Sequence, residues 1–211
     1  MLEAEPNDAT PFLPERRSLK SLREAAQGCR GCHLWRGATQ TVFGEGRKGA
    51  RVMLVGEQPG DREDRAGAPF VGPAGRELDR GLEEAGIERA DAYVTNVVKH
   101  FKFEERGKRR IHATPKKFEI DACRPWLDEE LRVVGPEALV LLGATAAKAI
   151  LGSSFRVSKQ RGELLDSELA PIVSATIHPS AILRAPDDEA RQAERAAFAA
   201  DLAGVARALG A

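Results

Sequence analysis

The sequence predicts an α/β fold, a three-layer αβα sandwich around a four-stranded, mostly parallel sheet. Four short runs are almost wholly apolar, as expected of strands that are covered on both faces of a parallel sheet. Helical patterns alternate with these runs along the chain, which is the order of elements in α/β proteins. The length of 211 residues fits one domain of ordinary size.

The N-terminal segment, residues 1–17, holds three prolines and mixed charges without periodicity, which predicts a loose arm. Residues 18–211 are predicted to form a single domain. Its first element is a short helix over 18–27, which Ser18 opens as an N-cap residue.

The remaining elements follow from apolar runs and helical spacing. The predicted strands are 51–55, 92–98, 138–142 and 172–177. The predicted helices are 74–85, 116–134, 145–151 and 189–209. A loop rich in Gly and Pro, 56–75, connects the first strand to the next helix.

Polar side chains follow the predicted strands where ligands gather in such sheets, beyond the carboxyl ends of the strands. Glu57 and Gln58 come directly after the first strand, Asn96 falls within or after the second, and His178 follows the fourth. These four residues are therefore candidate site residues.

Composition narrows the function classes. Net charge is +0, and 42% hydrophobic with 30% charged residues describes a soluble globular protein. The longest apolar run, 138–147, is about half of a membrane span, and the N-terminus shows no signal-peptide pattern. Three cysteines argue against a disulfide framework. We expect a cytoplasmic protein without membrane attachment or an obligate protein partner, most simply a monomer.

A basic island interrupts the neutral chain between residues 99 and 117. Eight Lys or Arg occur there against two acidic residues, a local excess of +6, at positions 99, 102, 106, 108, 109, 110, 116 and 117. At its centre, Lys108, Arg109 and Arg110 precede Ile111 and His112. A basic loop with one histidine suits a polyanion that reacts at its surface. A solvated loop with an idle histidine is the alternative.

The cysteines admit several interpretations. Cys29 and Cys32, followed by His33, match a c-type haem attachment site, but such haem requires export. A thioredoxin-like dithiol is disfavoured because the pair precedes the first strand. Metal ligation with Cys123 as third ligand remains, the fourth being His100 or His33, and spacing alone does not separate zinc from a four-iron cluster. A structural Cys123 beside a reactive pair is a further alternative.

Five ordered blocks resemble the uracil-DNA glycosylase superfamily. They are GEQPGD at 56–61, PFVGPAG at 69–75, TNVVK at 95–99, LGATA at 142–146 and HPS at 178–180. The nearest resemblance is to the family-four, iron–sulfur members. Gln58, His100 and the inserted Lys-Arg-Arg-Ile-His segment depart from that pattern, and all three resemble the X-type (UdgX) branch.

This resemblance implies a [4Fe-4S] cluster as cofactor, with His33 as a bystander. The implied ligands are Cys29, Cys32, His100 and Cys123. It also implies that the partner is uracil-containing DNA, with single strands favoured.

Uracil recognition assigns roles to residues of the blocks. Phe70 offers a face on which a flipped-out uracil can stack, although a plain core phenylalanine is the alternative. The Asn96 amide matches uracil O4 and N3–H, although Asn also forms turns. His178 is placed to donate to uracil O2, where negative charge develops. Gln58 is a further candidate for uracil contact.

The resemblance implies that His112 attacks C1′ of the sugar and stays attached to the DNA. Gln58 is a poor general base, so Glu57 either serves as the base or assists the imidazole. The predicted catalytic residues are His112, Glu57, Gln58 and His178. The predicted DNA contacts are Lys108, Arg109, Arg110, Ser180 and Arg184.

Two other functions stay open at this point. The first is a conventional glycosylase that turns over, with His112 only contacting DNA. The second is an iron–sulfur protein that binds nucleic acid or transfers electrons without glycosylase activity.

Overall fold

The structure is a computed structural model, and it describes residues 7–210. Its helices are α1 Leu19–Ala26, α2 Asp61–Ala66, α3 Pro73–Glu84, α4 Lys117–Val134, α5 Ala144–Leu151, α6 Val157–Gln160, α7 Ser180–Leu183 and α8 Asp188–Ala208. Its strands are β1 Val52–Gly56, β2 Ala92–Asn96, β3 Phe103–Arg106, β4 Arg109–His112, β5 Ala138–Leu142, β6 Leu164–Leu165 and β7 Ile172–Thr176. Short 3₁₀ turns occupy Thr10–Phe12, His33–Arg36 and Arg89–Asp91.

The central sheet has the order β2-β1-β5-β7-β6. The first four strands are parallel, and β6 joins the edge antiparallel to β7. The predicted α/β class and mostly parallel sheet are therefore confirmed. The sheet has five strands and not the predicted four. The fifth strand, β6, was not predicted because its two residues leave no recognisable pattern in the sequence.

The two faces of the sheet bury separate apolar clusters, because successive strand residues point to opposite sides. Met53 and Leu139 belong to the cluster that packs beneath α4, together with Trp126. Val52 and Leu54 belong to the other cluster, which α3 and α8 cover. Helices on both faces make the three layers.

Strand register brings the polar strand ends together. Gly56 pairs with Asn96 between β1 and β2, and Leu142 pairs with Thr176 between β5 and β7. Glu57, Asn96 and His178 therefore lie on the same side of the sheet, at the carboxyl ends of the strands, as the sequence predicted.

The basic island forms a β-hairpin and not a loop. Strands β3 and β4 pair antiparallel, with Phe103 opposite His112. Gly107, with φ of +61°, and Lys108 form the connecting turn. The charged run carries few residues that favour strands, which is why its sequence resembled a loop.

Part of the predicted loose arm is packed against the domain. Ala9 is fully buried and its N–H donates to the Ala122 carbonyl of α4 at 2.8 Å. Residues 1–6 lie outside the described part of the chain. Among residues 7–210, no helix combines the length and the apolar character that crossing a bilayer requires.

Candidate active site

A small pocket opens at the carboxyl ends of β1 and β2. Phe70, Asn96 and His178 line it, with Gln58 at its rim. Gly56 is required at its floor, since a Cβ there would lie 2.4 Å from Asn96 Oδ1 and 2.8 Å from the Phe70 ring. The sequence therefore keeps the aromatic face and the amide close together.

Phe70 adopts a strained backbone conformation. Its φ is +56°, the single positive value of a non-glycine residue between positions 7 and 210. Such a conformation costs on the order of 1–3 kcal/mol and is typical of ligand sites. Gly75 makes room for it, since a Cβ at 75 would meet the Phe70 carbonyl oxygen at 1.6 Å. The Phe70 ring lies 6.0 Å from the His178 ring, with 27° between the planes.

A buried ion pair fixes the backbone of Asn96. Lys99 Nζ donates to the Asn96 carbonyl oxygen at 2.7 Å and to Thr95 Oγ1 at 2.6 Å. It also pairs with Glu130, and both side chains are almost fully buried. Lys99 was counted in the basic island, but its charge is neutralised in the core. Sequence reasoning missed Glu130, because nothing in the helical pattern distinguishes this buried glutamate from an exposed one.

His178 is held in one neutral tautomer. The Ser180 N–H donates to His178 Nδ1 at 3.2 Å, and the Ser180 hydroxyl lies 2.8 Å from the same nitrogen. Since Arg184 Nη1 donates to Ser180 Oγ at 2.9 Å, the hydroxyl proton points to the imidazole. Burial lowers the pKa of His178 to about 4. Nδ1 is thus an acceptor, and Nε2 carries a proton.

His112 faces Glu57 in a cleft of about 700 Å³ beside the pocket. His112 Nε2 lies 3.2 Å from Glu57 Oε1, and Thr145 Oγ1 donates to the other carboxylate oxygen. Burial by itself raises the pKa of Glu57, but the contacts from His112 and Thr145 outweigh it and the net pKa is lowered. Glu57 is therefore ionised and lies within reach of the imidazole.

Gln58 anchors the base of the hairpin. Its Nε2 donates to the carbonyl oxygens of Lys102 and Ala113, both at 3.1 Å, and its Oε1 accepts from the Lys102 N–H at 2.9 Å. These two residues precede β3 and follow β4. The Gln58 amide thus holds the strands that carry His112. Gln58 also lines both the small pocket and the cleft, and its predicted role in uracil contact or catalysis stays a prediction.

Arg110 anchors the hairpin from the side. Its guanidinium forms ion pairs with Asp61 and Asp64, and only 14% of the side chain is exposed. It also lies over the rings of Phe101 and Phe103, at 5.4 and 5.0 Å. The structure differs here from the predicted phosphate contact, because the sequence cannot show which arginine turns inward.

The other predicted DNA contacts stay at the surface. Lys108 and Arg109 are exposed on the hairpin, and Arg184 is exposed at the rim of the cleft. Ser180 is half-buried, and its hydroxyl is engaged by His178 and Arg184.

Comparison with known proteins identifies the family. The sequence profile described as "Uracil DNA glycosylase superfamily" matches residues 43–203. The chain belongs to this superfamily. The match confirms the resemblance seen in the motif blocks at the level of the superfamily, while the X-type branch stays a prediction.

Several relatives within the superfamily are called Type-4 uracil-DNA glycosylase. The one from Sulfurisphaera tokodaii is 38% identical over 81% of this chain and 78% of its own length. The one from Pyrobaculum aerophilum is 35% identical over 88% of this chain and 91% of its own length. The one from Thermotoga maritima is 37% identical over 82% of this chain and 88% of its own length.

The three cysteines lie near enough for Cys29 and Cys32 to influence the titration of Cys123. All are free thiols, and burial raises the pKa of Cys123 to about 12, with Cys32 and Cys29 adding to the shift. Trp126 Nε1 donates to Cys29 Sγ at 3.2 Å, and the Lys99 N–H donates to Cys123 Sγ at 3.3 Å. Hydrogen bonds to sulfur are typical of iron–sulfur ligands.

The thiols do not form a tight metal-binding set. Across residues 7–210, no three His, Cys, Asp or Glu side chains are grouped closely enough to hold a metal ion. Thiols and a neutral imidazole are donor groups that zinc and iron–sulfur clusters both accept.

The two candidate histidines differ in their surroundings. Thr41 Oγ1 donates to the Ala26 carbonyl at 2.8 Å, so it accepts from His100 Nε2, which lies 2.9 Å away. Burial lowers the pKa of His100 to about 4, which leaves a neutral ring with a lone pair on Nδ1. That state suits a metal ligand. His33 is half exposed and lies 3.3 Å from Glu119.

Proposed function

We propose that this protein excises uracil from DNA and then becomes covalently attached to the sugar through His112. The observation that carries the proposal is the His112–Glu57 contact of 3.2 Å beside a small pocket that Phe70, Asn96 and His178 line. An imidazole next to a half-buried carboxylate is the arrangement of an activated nucleophile.

Uracil binding uses the small pocket. The base leaves the DNA stack, which costs a few kcal/mol, and stacking on Phe70 offsets about 1–3 kcal/mol. The Asn96 amide accepts from uracil N3–H and donates to O4. Cytosine reverses this donor and acceptor pattern and would leave buried groups unpaired, so uracil is selected.

Cleavage draws on the neutral His178. Its Nε2–H donates to uracil O2 while the C1′–N1 bond breaks and its electron pair leaves with uracil. A fixed donor at the developing negative charge lowers the barrier without reorganisation. The low pKa of His178 keeps the ring neutral at ordinary pH.

Capture by His112 replaces capture by water. One ring nitrogen gives its lone pair to C1′, and the proton on the other nitrogen leaves to solvent by way of Glu57. The product is a neutral alkyl-imidazole, which is a poor leaving group, and so the DNA stays attached. Gln58 and Arg110 are positioning residues here, since they fix the hairpin that presents the nucleophile.

The other proposed features concern binding and stability. Lys108, Arg109 and Arg184 contact phosphates, single-stranded DNA is the favoured partner, and the protein acts as a cytoplasmic monomer. A [4Fe-4S] cluster held by Cys29, Cys32, His100 and Cys123 supplies a covalent tie between the segment before β1 and α4. Its role is structural, as binding energy at such a site becomes folding energy.

Equimolar mixing tests the proposal. The protein and a uracil-containing single strand should give one equivalent of uracil and one equivalent of adduct stable to denaturing gels. His112→Ala should still release uracil but form no such adduct. An adduct that persists in this variant would show that the nucleophile is wrongly assigned.

A conventional glycosylase with turnover is the second candidate, favoured by the likeness to the Type-4 relatives. In that case uracil release continues well past one equivalent of protein. Absence of any uracil release would reject both candidates.

A further inference from the structure

A second groove lies on the other side of the hairpin from the active-site cleft. His112 and Thr114 line both cavities, so the groove is continuous with the site at the proposed nucleophile. Its other lining residues include His33, Lys102, Arg106, Ile111, Lys116 and Phe118.

Phe118 is the most exposed large apolar side chain described between residues 7 and 210. It is 55% exposed in the first turn of α4, and its ring stacks on His33 with 5.8 Å between centroids and 30° between planes. Ile111 on β4 adds a second apolar surface at 37% exposure. An exposed aromatic pair in a groove is a surface for stacking a planar ligand.

The charges around Phe118 favour an anion. Arg106 and Lys116 are exposed beside it. The acidic Glu119 in the groove is almost fully buried and is satisfied by Lys102 Nζ at 2.8 Å. Glu104 faces Arg106 at 3.8 Å with both side chains largely exposed, so it offsets only part of the positive charge.

We propose that this groove binds the nucleotide adjacent to the target uracil on the same DNA strand. Its base stacks on Phe118, and its phosphate lies against Arg106 and Lys116. Aromatic faces combined with cations are how proteins hold single-stranded nucleic acid. The inference rests on the proposed function, and it supplies a physical cause for the preference for single strands.

The strand preference follows from what the neighbour must give up. In a duplex, the adjacent base is paired and stacked, and moving it onto Phe118 costs its pairing energy. In a single strand, the adjacent base has no pairing partner and can occupy the groove. Single-stranded substrate therefore gains a contact that duplex substrate lacks.

Binding of matched oligonucleotides to Phe118→Ala tests the inference. The probe is a single strand with 2′-fluoro-deoxyuridine, which resists glycosidic cleavage, so that the Kd reports capture alone. Phe118→Ala should raise the Kd by about 5- to 150-fold, the contribution of stacking one base. Phe118→Trp should keep the affinity, and Leu164→Ala, which removes a 53% exposed side chain on the edge strand, should not change it.

The decisive arm replaces one neighbouring base with an abasic spacer, on the 5′ side or the 3′ side. On one side, the spacer should weaken wild-type binding to the level of Phe118→Ala and leave the variant unchanged. With the duplex probe, the variant should bind like wild type. An unchanged Kd for Phe118→Ala would overturn the groove assignment. So would a loss of affinity on Phe118→Ala substitution that is the same with and without the spacer, whichever side the spacer is on.

This test separates the two proposals. Uracil release from single-stranded substrate is measured in parallel for the wild type, and Leu164→Ala, which lies outside both cavities, should release uracil at the wild-type rate. If wild type itself releases no uracil, the proposed function fails. If release is normal and the spacer arms show no coupling, only the groove assignment fails.

Discussion

Arg110→Ala should separate anchoring of the hairpin from attraction of DNA. The change removes a guanidinium that pairs with Asp64 at 2.7 Å and with Asp61, and that donates to Thr39 Oγ1 at 3.1 Å. Asp64 is fully buried, so the change leaves a carboxylate whose one remaining donor among residues 7–210 is the Thr39 N–H.

The expected cost follows from the burial of this pair. Removing one partner of a buried ion pair costs about 3–5 kcal/mol, and we take the lower end because Asp64 retains one donor. A two-stranded hairpin is marginal by itself, so this loss favours an undocked hairpin. At 1.36 kcal/mol for each tenfold change, a loss of about 3 kcal/mol lowers the docked population by at most ~150-fold.

The assay is the rate of adduct formation at saturating single-stranded DNA. Arg110→Ala should slow the adduct by about 10- to 100-fold, while uracil release changes little, because Phe70, Asn96 and His178 lie outside the hairpin. Arg109→Ala is the matched control, since it removes the same charge from an exposed position on the same strand. Equal effects of the two substitutions would refute the anchoring role and favour a simple charge effect.

Three further predictions concern pH, stability and the cysteines. In a His112→Ala background, uracil release should stay level from about pH 8 to about pH 5 and fall towards pH 4. The rate should fall because protonation of His178 Nδ1 removes the acceptor for Ser180. A pH–rate profile with its midpoint near pH 6.5 would contradict the buried, neutral ring. Glu130→Gln should lower the free energy of unfolding by about 3–5 kcal/mol in chemical denaturation, because it leaves the buried Lys99 without its charged partner; a loss below about 1 kcal/mol would argue against the buried pair. Cys29→Ala should lower the yield of folded protein and its bound iron before it changes the chemistry, and a stable, active variant would contradict a structural cluster.

The fold was largely predictable because its strongest signals are local. The strand Ala138–Leu142 is a wholly apolar run bounded by Pro136 and Gly143, and the structure has it at the predicted bounds. The Ser18 cap was also confirmed, with its side chain accepting from the Ser21 N–H. Helix α2 was missed, since Asp61–Ala66 is short, charged and enclosed by glycines.

Site residues that directly follow strands were predictable from the sequence. Site contacts between residues that are distant in the sequence were not. Asn96 and His178 line the small pocket, and Glu57 and His178 line the adjoining cleft, because parallel strands end on the same side of the sheet. The anchoring by Gln58 and Arg110 joins residues more than 40 positions apart. No periodicity encodes such pairs, and for that reason the inward direction of Arg110 escaped the sequence.

The measurement that tests the account most directly is mass spectrometry of the digested complex between the protein and a uracil-containing single strand. The account predicts one nucleotide-bearing peptide, with the crosslink on His112 and a mass that corresponds to the strand without uracil. A crosslink on another side chain, or free abasic strands accumulating beyond one equivalent of protein, would contradict it.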